Sequence, residues 1–146
     1  MTTAAPAAVP GPARPPGPAA PLGLAGAFVD ALAGRDFAGL AACLAGGARL
    51  RCLLPGGERR LDGAGPIAEQ FRAWFGGPGS LEMLGASVGE VGGRMHLRWR
   101  FRVDPAPRAP GPHVVEQHLF ADADPEGRIE ALDLLCSGFR PGGSPT

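Results

Sequence analysis

Apolar and polar side chains alternate without a break over residues 95–103, which read Met-His-Leu-Arg-Trp-Arg-Phe-Arg-Val. A repeat of two residues is typical of a β-strand with one buried face and one solvent-exposed face. We therefore expect Trp99 and Phe101 to point into the protein, and Arg98 and Arg100 to lie on the outer surface of a sheet.

The strand before this one is predicted from the turn that separates them. Gly92-Gly93 is a two-residue sequence that favours a tight hairpin turn with positive φ at both positions. The hairpin then has the register Val91 opposite Arg94, Val88 opposite Leu97, Ala86 opposite Trp99 and Leu84 opposite Phe101.

The remaining pattern predicts helices first and strands afterwards. Apolar residues at helical spacing indicate helices over about 22–33 and 37–44, with Asp36 as the N-cap of the second, and Pro66 opens a third helix that ends at Gly76-Gly77. Further strands are predicted over 50–54, 81–91, 94–104, 113–121 and 128–139. This order indicates an α+β fold: a cone-shaped, curved antiparallel sheet with about three N-terminal helices packed on its concave face.

Composition divides the chain of 146 residues into one domain and two tails. Residues 1–21 consist almost wholly of Ala, Pro and Gly, so we expect a disordered tail. The ordered domain should span 22–141, with a flexible C-terminus over 142–146.

Charge and cysteine content exclude several classes of function. The formal net charge is zero, which argues against nucleic acid and anionic membranes as partners. All 14 basic residues are Arg, and Lys, Tyr and Asn are absent, as expected of a GC-rich bacterial genome. The three cysteines lack metal-ligand spacing, and no signal or membrane-spanning segment is evident, so we expect a cytoplasmic protein with reduced thiols and no metal or cofactor.

Several short motifs occur in an order known from one superfamily. They are Ala-Phe-Val-Asp-Ala-Leu at 27–32, Arg35-Asp36, Pro55, Gly63 with Ile67 and Phe71, and Gly-Arg-Ile at 127–129. Over about residues 24–140 the chain resembles the nuclear transport factor 2-like superfamily, including SnoaL-like domains. The resemblance implies a small, often dimeric protein with an apolar pocket between helices and sheet; some such proteins are isomerases, dehydratases, cyclases or epoxide hydrolases, and many are not catalytic.

The resemblance also implies where a catalytic acid would stand. Catalytic members usually carry a carboxylate on the pocket face of a late strand, often with Tyr or a second carboxylate. Aligned from Gly127, this chain has Leu134 at that place, and it contains no Tyr. We therefore expect foremost a domain that binds a small hydrophobic molecule, as a homodimer. The expected pocket residues are Phe28, Leu54, Phe71, Trp74, Trp99, Phe101, Leu132, Leu134 and Cys136.

An alternative hypothesis is an isomerase-, dehydratase- or cyclase-type enzyme that uses Glu116 and His118. These residues lie two apart on one strand and therefore share a face. Pairing His118 with Leu132 would place both of them in the pocket near Trp99, where a histidine oriented by a carboxylate can act as general acid or base. The opposite register, with Gln117 inward, remains open.

Other candidate sites have simpler interpretations. His113, Glu116 and His118 suggest a metal site, but His113 faces away from the other two.

The stripe of Arg94, Arg98, Arg100 and Arg102 with His96 could bind an anion, yet it fits a solvated surface or a dimer interface better. Cys136 is interpreted as a core residue rather than a nucleophile. A third hypothesis is an accessory or scaffold protein that acts through this stripe.

Overall fold

The computed structural model describes residues 21–142. The predicted tail and the predicted flexible terminus fall outside this range, apart from Pro21 and Gly142. Within it, three helices and seven strands follow in chain order. They are α1 (Pro21–Ala33), α2 (Phe37–Ala42), β1 (Leu44–Leu54), β2 (Gly57–Asp62), α3 (Ala64–Phe75), β3 (Ser80–Val91), β4 (Arg94–Asp104), β5 (His113–Ala123), β6 (Ile129–Cys136) and β7 (Arg140–Pro141).

The strands form one curved sheet in the order β2-β1-β6-β5-β4-β3, and β7 extends the β6 side by pairing with the start of β5. The α+β architecture is confirmed. The sheet is mixed rather than purely antiparallel, because β1 and β6 run parallel. This pair places β1, which follows α1 and α2 in the chain, beside β6 near the C-terminal end of the domain.

The N-terminal half of the domain differs from the prediction in where elements end. Asp36 is the N-cap of α2, as expected, and its side chain accepts a hydrogen bond from the backbone N–H of Gly39 at 2.9 Å. The helix ends at Ala42, however, and Leu44 begins β1, where it pairs with Ile129 of β6 and is buried. Strand β2 was not predicted.

The hairpin of β3 and β4 has the predicted register from the turn outward. Val91 pairs with Arg94, Val88 with Leu97 and Ala86 with Trp99. A bulge then shifts the register, so that Met83 rather than Leu84 lies opposite Phe101. Gly92 and Gly93 adopt φ of 57° and 87°, which residues with a Cβ rarely adopt.

Aromatic rings from the helices and from β4 fill the centre of the domain. Trp99 is fully buried, with ring centroids 5.9 Å from Phe28 and 6.3 Å from Phe71. Phe75 packs against Phe101 at 5.1 Å. The predicted orientation of β4 is therefore confirmed, since its apolar side chains face the helices and its arginines face outward.

Strand β5 has the orientation opposite to the favoured prediction. Gln117, Leu119 and Ala121 pair with Cys136, Leu134 and Leu132. The predicted pairing of His118 with Leu132 is wrong by an odd number of residues, and such a shift exchanges the two faces of a strand.

A buried hydrogen-bond chain explains why this orientation is favoured. The indole N–H of Trp99 donates to Oε1 of Gln117 at 2.9 Å, and Nε2 of Gln117 donates to the sulfur of Cys136 at 3.2 Å. Burying a neutral, hydrogen-bonded amide costs far less than burying the carboxylate of Glu116 with the imidazole of His118.

Replacing Gln117 should therefore be costly, whereas replacing its neighbour His118 should not. We expect Gln117→Leu to lower the free energy of unfolding by about 1–3 kcal/mol, because it leaves a buried indole N–H without an acceptor. His118→Leu, on the outer face, should change it by about 1 kcal/mol or less. Urea unfolding followed by circular dichroism measures both; a larger cost for His118→Leu would show that β5 is reversed.

Candidate functional site

A cavity of about 470 Å³ opens at one end of the domain, between α3, the end of β1 and the loop that joins β4 to β5. Its apolar wall includes Leu54, Trp74 and Phe139. The other residues that line it are Arg59, Gln70, Ala73, Ala106, Pro107, Arg108, Ala109 and His113.

Strand pairing explains why Arg59 reaches this cavity. Arg59 lies opposite Cys52, whose side chain is buried on the concave face, so Arg59 projects to the same face. Its guanidinium donates a hydrogen bond to Oε1 of Gln70 on α3. The neighbours Glu58 and Arg60 face the opposite side, where they pair with each other at 2.8 Å. One strand thus contributes a single arginine to the cavity wall.

The side chain of His113 is buried, with 6% of its surface exposed, and lines the cavity. Its Nδ1 lies 3.0 Å from the carbonyl oxygen of Gly111. A carbonyl oxygen only accepts, so Nδ1 carries a proton, and the tautomer with its single proton on Nδ1 has the lone pair of Nε2 free to accept. Among residues 21–142, Nε2 has no hydrogen-bond partner.

The sequence prediction placed His113 correctly on the face opposite to Glu116 and His118, but not in the pocket. The signal that could have found it is the spacing of four between His113 and Gln117, which puts both on one face of β5.

The residues predicted to form the pocket separate into two groups. Leu54 and Trp74 line the cavity. The others lie deeper on the concave side and do not line this cavity. They belong to the packed core, at the place where the sequence analysis predicted a pocket. These buried residues are Phe28, Phe71, Trp99, Phe101, Leu132, Leu134 and Cys136.

Glu116 and His118 do form a pair, but on the outer face of the sheet. Nε2 of His118 donates to Glu116 at 2.7 Å, and Nε2 of His96 lies 3.4 Å from Nδ1 of His118. The placement of this pair in the interior is therefore wrong. On the same outer face, Phe120 stacks on His96 with ring centroids 4.6 Å apart. The catalytic assignment of Glu116 and His118 stays a prediction, and it now refers to the outer face.

The charges around Glu116 favour its ionised form. Partial burial raises the pKa of its carboxyl group, but hydrogen bonds from His118 and Arg100 and the positive charges of Arg100 and Arg98 outweigh that effect. The pKa of Glu116 therefore lies below the ordinary value of 4.5. Arg100 donates to Glu116 at 2.7 Å, so the basic stripe is partly neutralised by a carboxylate of its own sheet.

The cysteines and possible metal ligands offer no further site in residues 21–142. Burial raises the pKa of the thiols of Cys43 and Cys52, and for Cys52 it outweighs the opposing charge of Arg59. Neither thiol is therefore activated as a nucleophile. No cluster of three or more His, Cys, Asp or Glu side chains in this range could hold a metal ion.

The lowered pKa of Glu116 predicts how acid affects stability. Its contribution to folding is present above the ordinary pKa of 4.5 and is lost as the pH falls through the lower, folded-state value. Wild type should therefore be more stable than Glu116→Gln at neutral pH, and the difference should shrink in acid. Free energies of unfolding measured across this pH range test the prediction. The matched control is Glu126→Gln, because Glu126 forms no ion pair among the described residues. A difference that grows in acid would contradict it.

Comparison with known proteins identifies the fold. No protein-family model and no curated protein matches the sequence. Among solved structures, a candidate polyketide cyclase from Xanthomonas campestris pv. campestris aligns with 19% identity over 78% of this chain and 87% of its own, at a TM-score of 0.60. A candidate ketosteroid isomerase from Kribbella flavida aligns with 17% identity over 84% and 79%, at 0.55. An NTF2-like protein of unknown function from Cytophaga hutchinsonii aligns with 14% identity over 84% and 92%, at 0.51.

Within residues 21–142, no helix has the length and apolar character needed to cross a membrane. The three similar structures match over most of both chains. The fold implied by the motifs is confirmed: this chain has the nuclear transport factor 2-like fold found in SnoaL-like proteins.

Proposed function

We propose that this protein binds a small, largely apolar molecule in the cavity beside α3. The observation that carries the proposal is the cavity itself, whose volume of about 470 Å³ lies within the usual range for ligand sites. Its wall combines the apolar side chains of Leu54, Trp74 and Phe139 with a few polar groups. Such a lining favours a ring-sized apolar body whose orientation is set by one or two hydrogen bonds.

His113 supplies one of these hydrogen bonds. Because its Nδ1 proton is donated to Gly111, its Nε2 can accept a hydrogen bond from a ligand hydroxyl or N–H group. The names of two similar structures, a candidate polyketide cyclase and a candidate ketosteroid isomerase, also imply small organic substrates.

Filling the cavity should abolish binding without unfolding the protein. Ala73 is exposed, lies on α3 and lines the cavity, so Ala73→Leu projects a larger side chain into it. A panel of aromatic and carbonyl compounds that includes both neutral molecules and carboxylic acids, screened by thermal shift and tryptophan fluorescence, should contain binders for wild type. We expect Ala73→Leu to weaken their binding at least about tenfold.

The matched control is Glu69→Leu on the same helix, whose side chain does not line the cavity and pairs only with exposed Arg72. It should bind like wild type. If no compound binds wild type, or if Ala73→Leu binds as well as wild type does, the cavity is not the site.

We also propose that the outer face of the sheet pairs two copies of this chain. Leu53 and Leu135 are both 54% exposed and lie opposite each other in the pairing of β1 with β6. Beside them on the same face, Arg51 is paired with Asp133 at 3.1 Å and Arg60 with Glu58 at 2.8 Å. Two such faces can meet around a twofold axis without net repulsion, and the exposed leucines are then buried.

A charge placed among the exposed leucines should break the dimer. We expect wild type to show twice the chain mass in light scattering after size exclusion, and Leu135→Arg to show the mass of one chain. The matched control is Val88→Arg, since Val88 is 41% exposed and its partner Leu97 places it on the opposite face. A monomeric wild type, or a dimeric Leu135→Arg, would contradict this proposal.

A further inference from the structure

The lining of the cavity carries an unbalanced charge. It includes two guanidinium groups, those of Arg59 and Arg108, and no carboxylate. The whole chain has as many acidic as basic residues, 14 of each, so this imbalance is local.

Several other arginines within residues 21–142 have their charge balanced by a carboxylate. On the outer face, Arg94 pairs with two carboxylates, and Arg98 and Arg100 both pair with Glu116. By contrast, neither Arg59 nor Arg108 forms an ion pair with a carboxylate within residues 21–142.

The two arginines belong to independent parts of the structure. Arg59 is directed to the concave face by its pairing opposite Cys52 and is held there by the side-chain oxygen of Gln70. Arg108 lies at the tip of a tight turn in which the N–H of Ala106 donates to the carbonyl oxygen of Ala109 at 3.0 Å. The bond to Gln70 uses one N–H of Arg59, and a guanidinium has five, so donors remain for a ligand.

We propose that the cavity selects a small apolar carboxylic acid. This inference rests on the proposed ligand-binding function and names the class of ligand. The apolar body lies against Trp74, Leu54 and Phe139, and the carboxylate accepts hydrogen bonds from Arg59 and Arg108. Guanidinium groups match carboxylates in shape and charge, and a neutral analogue leaves them without an anionic partner.

The test compares acids with their amides, which have nearly the same shape but no charge. The probes are benzoic, 2-naphthoic and 4-phenylbenzoic acid with the three corresponding primary amides, titrated into wild type by isothermal calorimetry. We expect each acid that fits to bind at least about tenfold more tightly than its amide. Raising the salt concentration from about 50 to about 500 mM should reduce this preference, because both arginines are partly in solvent.

Single substitutions then assign the preference to the two arginines. Arg59→Gln and Arg108→Gln should each weaken binding of the acid by about fivefold or more and leave binding of the amide unchanged. Arg128→Gln is the matched control, since Arg128 is exposed, does not line the cavity and forms no ion pair in residues 21–142.

The outcomes separate this inference from the function on which it rests. If neither acids nor amides bind, the ligand-binding function itself fails. If amides bind as tightly as acids, or if salt and both Gln variants leave the acid's affinity unchanged, the cavity binds ligands but does not select carboxylates.

Discussion

The indole N–H of Trp99 is a hydrogen-bond donor at a position that water does not reach, so the protein itself must supply the acceptor. Trp99 is fully buried and is packed between the helices and the sheet by Phe28 and Phe71. Its acceptor is Oε1 of Gln117, directly opposite on β5. A buried donor without a partner costs about 1–3 kcal/mol, a large fraction of the stability of a domain this size.

This requirement determines which side chains the rest of β5 turns toward the core. Since side chains of a strand alternate, an inward Gln117 brings His113 to the concave side and sends Glu116 and His118 to the outer surface. The cavity therefore contains a histidine, and the outer face contains a carboxylate beside Arg98 and Arg100. One hydrogen bond in the core thus decides the chemistry of two separate surfaces.

Much of the fold could be predicted because β4 has an unambiguous pattern. Five apolar residues alternate there with polar ones, which sets both the buried face and the register of the hairpin as far as the bulge. Strand β2 could not be predicted in the same way. Over Glu58–Leu61 it has no alternation, and it is a strand because its backbone pairs with β1.

The candidate site was harder to predict than the fold for two physical reasons. Both faces of β5 combine apolar and polar residues, so the pattern alone does not choose between Gln117 and His118; the cost of burying each group does. The cavity also depends on residues distant in sequence, because Phe139, which lines it, lies in the connection between β6 and β7. Short sequence motifs do not describe such an arrangement.

The loop between β4 and β5 has an evolutionary consequence. Pro107 and Arg108 line the cavity, while Ala106 is the loop residue buried in the core. The strands on either side keep their register through their own backbone hydrogen bonds. Insertions or exchanges in this loop can therefore change the shape and charge of the cavity wall while the scaffold is preserved. Descendants of one ancestor can thus superimpose closely and still differ in the cavity they enclose.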